Sequence, residues 1–97
     1  MFFGIRMKRK LMDILACPID KYHPLELHVF EEKDEIVEGL IVCPKCQRWY
    51  PIRDEIPEML PDGLRKEAED LPFLKKWKEK APAIIVSEGK PFNLKSS

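Results

Sequence analysis

The residues of this 97-residue chain that could do chemistry are gathered in two short turns. Cys43-Pro44-Lys45-Cys46 sets a pair of thiols at the spacing of a metal-binding turn. A tetrahedral ion such as zinc needs four donors at fixed angles, and two such turns from separate segments supply them. Cys17-Pro18-Ile19-Asp20 has the same shape, with Asp20 standing where another cysteine would complete a four-thiolate set. Asp20 can ligate through oxygen, and His23 or His28 offers a nitrogen instead, so these residues leave the fourth donor open. Two other readings of the thiols compete with a metal. They could be small buried hydrophobes. Cys43 and Cys46 could also form a redox dithiol, although that chemistry wants a helix N-terminus to lower the thiolate pKa, and this motif lies between two predicted strands.

Little else in the chain points to catalysis. No glycine-rich turn follows a strand and opens a helix, so no nucleotide cofactor site is expected. Asp20, His23 and His28 make no acid–base set without a pocket for substrate. Lys+Arg and Asp+Glu both number 17, so no overall field attracts nucleic acid or an anionic membrane. The longest apolar runs, Leu40 to Cys43 and Ala83 to Val86, are far too short to span a bilayer. Met1 to Arg6 is too short, with its charge on the wrong side, for a secretory signal. An odd number of cysteines suits reduced thiolates better than a disulfide framework. A soluble protein of the cytoplasm, with no membrane partner, is expected.

The elements that must position the two turns follow from periodicity. Lys8 to Ala16 places Leu11, Met12, Ile14 and Leu15 on one helical side before Pro18 stops it. Leu25 to Val29 alternates as a half-buried strand, Glu31 to Glu35 turns, and Ile36 to Cys43 returns, with Gly39 marking a bulge or a close backbone approach. Trp49 to Ile52 is a third strand, and Asp54-Glu55 a turn. Ile56 to Leu60, flanked and interrupted by prolines, is expected to run extended along an exposed edge. Beyond Asp62 the chain becomes charged and helical. Leu64, Ala68 and Leu71 recur at helical spacing, Asp70 is placed to cap a further turn holding Pro72, Leu74 and Trp77, and Lys75-Lys76-Trp77-Lys78 reads as a solvated face with its tryptophan turned inward. Ala83 to Val86 could add a late strand, and Gly89 to Ser97 is polar enough to be loose. The predicted fold class is α+β: a small zinc-ribbon-like antiparallel sheet over 1–61 with an N-terminal helix, and a helical C-terminal extension over 62–97. A core of this size is marginal without a metal or a partner.

Four segments in this order resemble a known family. They are Leu11-Met12-Asp13-Ile14-Leu15-Ala16-Cys17-Pro18, Pro24-Leu25-Glu26-Leu27, Glu38 to Cys46, and Arg48-Trp49-Tyr50-Pro51-Ile52-Arg53-Asp54-Glu55-Ile56-Pro57-Glu58-Met59-Leu60. The family is that of the small zinc-ribbon activator subunits shared by tRNA, rRNA and release-factor methyltransferases, with their short bacterial relatives. The resemblance covers Met7 to about Pro61. Two residues depart from it: Asp20 stands at a position the family commonly fills with cysteine, and Glu55 follows Asp54 where Asp-Gly is common, which predicts a different turn type.

The resemblance implies a non-catalytic subunit that joins its sheet to that of a Rossmann-like, S-adenosylmethionine-dependent methyltransferase, forms a heterodimer with it, and meets tRNA or rRNA only through the complex. It implies zinc on Cys17, Asp20, Cys43 and Cys46. An uncovered edge at Ile56, Pro57, Met59 and Leu60, continued by Leu11, Ile14 and Leu15, would be the contact with the partner. Left alone, such an edge could pair with a second copy to give a homodimer. Leu11, Ile14, Leu15 and Ile52 have a second reading as filling of a small core. An independent RNA-binding ribbon is the alternative function, with Trp49 and Tyr50 stacking on bases instead of packing inside.

Overall fold

The structure, a computed structural model, describes residues 9–13 and 15–94. Ile14, expected at the partner surface, lies outside the described residues. Four strands form one antiparallel sheet in chain order: β1 (Glu26–Glu32), β2 (Ile36–Val42), β3 (Trp49–Arg53) and β4 (Ile56–Pro57). The register of β1 slips between Val29 and Glu31, opposite Gly39. A Cβ on Gly39 would sit 2.7 Å from the His28 carbonyl oxygen, so the close approach expected at this glycine is present.

Both sheet faces are covered, because Trp49 and Tyr50 are adjacent in a strand and point to opposite sides. On one face Tyr50, Ile41, Ile52 and Ile36 pack with Leu15, Cys17, Leu25 and Met59. On the other, Trp49, Leu40, Val42 and Phe30 pack with Phe73, Leu74, Ala81 and Ile85 of the C-terminal third. That third contributes α1 (Glu67–Lys76) and α2 (Ala83–Glu88). Trp77 stacks on Phe30 with ring centroids 5.0 Å apart, while Lys75, Lys76 and Lys78 stay exposed, as the sequence pattern indicates.

Several expected elements differ. The N-terminal helix is a 3-10 turn over Arg9–Asp13, and Leu15 already belongs to the approach to the Cys17 turn. Leu64 does not open a helix: Asp62–Leu64 is a separate 3-10 turn, Arg65 and Lys66 run extended, and α1 begins at Glu67. This break lets Arg65 enter the interior. The buried positions of α1 are Asp70, Phe73 and Leu74, whereas Ala68 is exposed. Asp70 is therefore a buried ionic anchor and not a cap: it accepts from Arg65 Nε at 2.6 Å and from Arg53, and Arg65 Nη1 donates to the Trp49 carbonyl at 2.6 Å. Burial works against the Arg65 guanidinium's charge and pulls its pKa down, while Asp70 opposes that pull.

The Ala83 to Val86 run forms a helix, not a strand, because Pro82 places its carbonyl to accept from the amides of Ile85 and Val86. The tail is held through Leu94: Trp49 donates its backbone amide to Lys90 at 3.0 Å and its indole Nε1 to the Phe92 carbonyl at 2.8 Å, and Phe92 and Leu94 pack on the second core. Arg48 clasps Asp62 through Nε at 2.9 Å and Nη2 at 2.8 Å, which keeps that carboxyl below the ordinary carboxylate range.

The β3–β4 turn keeps the geometry that Asp-Gly would adopt. Asp54 and Glu55 have φ of 48° and 72°, the left-handed pair of a type I′ hairpin turn. Glu55 is strained there, since left-handed backbone costs a residue with a Cβ about 1 kcal/mol. Glu55→Gly is expected to raise the free energy of unfolding by about 0.5–1 kcal/mol in a urea titration with an unchanged slope.

Candidate metal centre and docking edge

The two turns are built alike. In the first, Lys21 N–H donates to the Cys17 carbonyl at 2.8 Å, Cys17 N–H donates to Tyr22 at 3.0 Å, and Lys21 takes φ 65°. In the second, Gln47 donates to Cys43 at 2.8 Å, Cys43 donates to Arg48 at 2.9 Å, and Gln47 takes φ 62°. Asp20 is thereby the structural counterpart of Cys46. The proline after each leading cysteine fixes φ for the turn.

The turns meet at one point. One donor atom from each of Cys17, Asp20, Cys43 and Cys46 lies within 4.8 Å of every other. Around a tetrahedral ion with Zn–S bonds near 2.3 Å and Zn–O bonds near 2.0 Å, sulfurs stand about 3.8 Å apart and a sulfur and an oxygen about 3.5 Å. Cys17 Sγ and Cys46 Sγ are 3.8 Å apart, and Cys43 Sγ is 3.6 Å and 3.4 Å from the two Asp20 oxygens. The residues present therefore fit a tetrahedral metal ion of that size.

Neither histidine competes for the fourth place. His23 Nδ1 donates to the Leu15 carbonyl at 2.7 Å, and His28 lies in β1 with Nε2 3.7 Å from Glu26. Among the described residues the metal-binding group contains no histidine.

The electrostatics of the two turns supply no activated thiolate for redox chemistry. The Tyr22 amide donates to Asp20 Oδ1 at 2.9 Å and holds that carboxyl down at about 2, so it is an anion at any working pH. Burial pushes the Cys43 thiol up to about 12. A dithiol nucleophile needs the opposite shift. Tyr50 is fully buried, its hydroxyl is 3.1 Å from Cys17 Sγ, and burial raises its pKa.

The expected partner residues divide into two sets. Met59 is 3% exposed and Leu15 is fully buried, both in the core of the metal-side face, and Pro57 is buried as well. These three cannot offer their side chains as surface contacts in this conformation. The reason is local: after the type I′ turn, alternate residues of the chain leaving β4 point inward, and Met59 falls on the inner side. Ile56, Leu60 and Leu11 are half-buried and reachable. β4 is an edge strand, paired only with β3. A cleft of about 150 Å³ opens beside Leu60, with Leu64, 59% exposed, on its rim. Leu64 is an apolar surface residue that periodicity assigned to a helix interior. Trp49 and Tyr50 are fully buried, so neither is available to stack on RNA bases.

Comparison with known proteins places this geometry. The family model described as Trm112p-like protein matches residues 8–55. A UPF0434 protein of Dechloromonas aromatica is 44% identical over 64 residues, 66% of this chain and 97% of that one. A UPF0434 protein of Nitrosococcus oceani is 37% identical over 60 residues, 62% of this chain and 88% of that one. Among solved structures, a chain from a complex between the Haloferax volcanii Trm112 methyltransferase activator and a candidate methyltransferase superposes with a TM-score of 0.55 and 46% identity, over 60% of this chain and all of that one.

Two outcomes test the metal centre. Asp20→Cys should tighten zinc binding and Asp20→Ala weaken it, each by tenfold or more, in competition with a chromophoric chelator. Because the ion must displace protons from the thiols while Asp20 is already ionised, affinity should climb as pH rises from about 5 to 8, with proton release on binding seen in calorimetry across buffers of different ionisation enthalpy.

Proposed function

Because the chain belongs to the Trm112p-like family, we propose that it is a non-catalytic subunit that binds, stabilises and activates an S-adenosylmethionine-dependent methyltransferase. The observation that carries this reading is the 46% identical Haloferax volcanii activator, whose whole length this chain matches and which was solved with a candidate methyltransferase. The geometry supports it. An edge strand carries backbone groups that another sheet edge can pair with, and half-buried Ile56 in β4 and Leu60 just beyond it add apolar surface, while half-buried Leu11 packs on the same core as Met59. A Rossmann-like enzyme with an exposed strand edge is the complementary partner.

Activation of this kind needs no catalytic group from the chain. A subunit that binds only the folded enzyme stabilises it by mass action, worth about 2.7 kcal/mol at a hundredfold excess over Kd. The metal, for which zinc suits the three sulfurs and one oxygen, would be held by Cys17, Asp20, Cys43 and Cys46 and would supply a structural cross-link between the two turns. Three free thiols accord with a reducing cytoplasm. The methylated substrate would be tRNA, rRNA or a release factor, with RNA met only through the complex, a division of labour that suits a chain of zero net charge with both aromatic residues of β3 inside.

Co-expression with the methyltransferases of the same genome should yield a soluble heterodimer whose methyl transfer exceeds that of the enzyme alone. Leu60→Asp should abolish capture of the enzyme while shifting the chain's own melting temperature little. Met59→Asp should instead unfold the chain, by placing a charge in the core. A wild-type chain that is folded yet recovers no methyltransferase would sink this reading.

A further inference from the structure

Tyr50 has a feature that neither the ligand set nor the partner edge uses. Its side chain is fully buried, and its hydroxyl lies 3.1 Å from Cys17 Sγ. No other hydrogen-bond partner of that hydroxyl appears among the described residues. A buried hydroxyl left without an acceptor costs about 1–3 kcal/mol, so the contact with sulfur has to be a real bond.

The ring has little freedom to aim elsewhere. Tyr50 is paired with Ile41 across the sheet, and the Arg65 guanidinium lies 5.7 Å from its ring centroid. Arg65 is itself fixed by Asp70 and the Trp49 carbonyl. A ligating cysteine is a thiolate with no proton to give, so with an ion in place the hydroxyl can only be the donor.

We propose that Tyr50 is a positioning residue of the metal centre, its hydroxyl donating to the Cys17 thiolate so that the sulfur lone pair is aimed at the ion. The inference rests on the metal reading above. Partners that orient metal ligands in this way are typically worth 10–100-fold in affinity. A donated hydrogen bond also lowers the energy of the sulfur electrons and shields Cys17 from electrophiles.

The test uses the full chain loaded with cobalt(II), whose sulfur-to-cobalt charge-transfer band in the near ultraviolet reports the thiolates. Tyr50→Phe should move this band to longer wavelength and lower zinc affinity by about tenfold. Melting of the metal-free variant separates these effects from a loss of fold. If Tyr50→Phe does not fold, fluorotyrosine incorporated in a Tyr22→Phe background reports on Tyr50 alone, since the chain has two tyrosines. Its more acidic hydroxyl should shift the band to shorter wavelength. An unmoved band with unchanged zinc affinity would overturn the proposal while leaving the metal centre standing. A wild-type chain with no charge-transfer band would overturn the metal reading and this proposal together.

Discussion

Two turns from distant parts of the chain converge on one point, and the conflict at that point organises the molecule. Cys17 and Cys43 are fully buried, and Asp20 is held as an anion beside them. Burial makes the Cys43 thiolate costly on its own, pushing the thiol to about 12. A cation would resolve the conflict by drawing the protons off and satisfying all four donors at once. Such a closure would tie the segment before β1 to the loop between β2 and β3 and add a cross-link to the apolar packing of that face.

The opposite face is held by different means. Trp49 stacks nearly parallel to Phe73, donates its indole hydrogen to the tail, and lies under the Arg65 guanidinium at 4.7 Å. Arg65, Asp70 and Arg53 form a buried ionic group whose worth depends on its being complete, since removing one member leaves a charge inside the protein without its partner. The Trm112p-like family model ends at residue 55, so Trp49 and Arg53 lie within the matched segment while Arg65, Asp70 and Phe73 lie beyond it. With one face over the two turns and the other under the extension, the uncovered edges of the sheet are β1 and β4, the latter beside the rim around Leu60 and Leu64.

Much of the ribbon was legible from residue types. The alternation of Leu25 to Val29, the glycine at 39 and the spacing of the cysteine turns each encode a local constraint that tertiary packing does not override. Asp20 as counterpart of Cys46 was also visible, because the Cys-Pro-x-x frame repeats. The extension was harder for a physical reason. Its buried stripe runs through Asp70, Phe73 and Leu74 to Trp77, and a charged residue inside the stripe conceals the period; only the arginines that neutralise it, Arg65 across a helix break and Arg53 on β3, explain its place. The tail looked polar because its anchoring is done by the main-chain carbonyls of Lys90 and Phe92, which side-chain identity does not reveal. Met59 failed for a third reason: hydrophobicity near an edge does not say which side of the strand a residue faces.

The weaker fourth donor and the added C-terminal layer fit together energetically. Oxygen from a carboxylate binds a thiophilic ion less tightly than a fourth sulfur, so an ion held through Asp20 would restrain the first turn less than one held through a cysteine. In a ribbon with one bare face, that loss would fall on a core already too small to spare it. Here the second face adds Trp49, Leu40, Phe73, Leu74 and Ile85 to the buried set, and burying such side chains contributes about 1.5–3 kcal/mol each. A chain stabilised from both sides of its sheet can tolerate a looser metal clamp without losing the strand order that presents β4. The β4 edge then depends on the sheet as a whole, and an ion held by the two turns would act on the half of it nearest Cys17 and Tyr50.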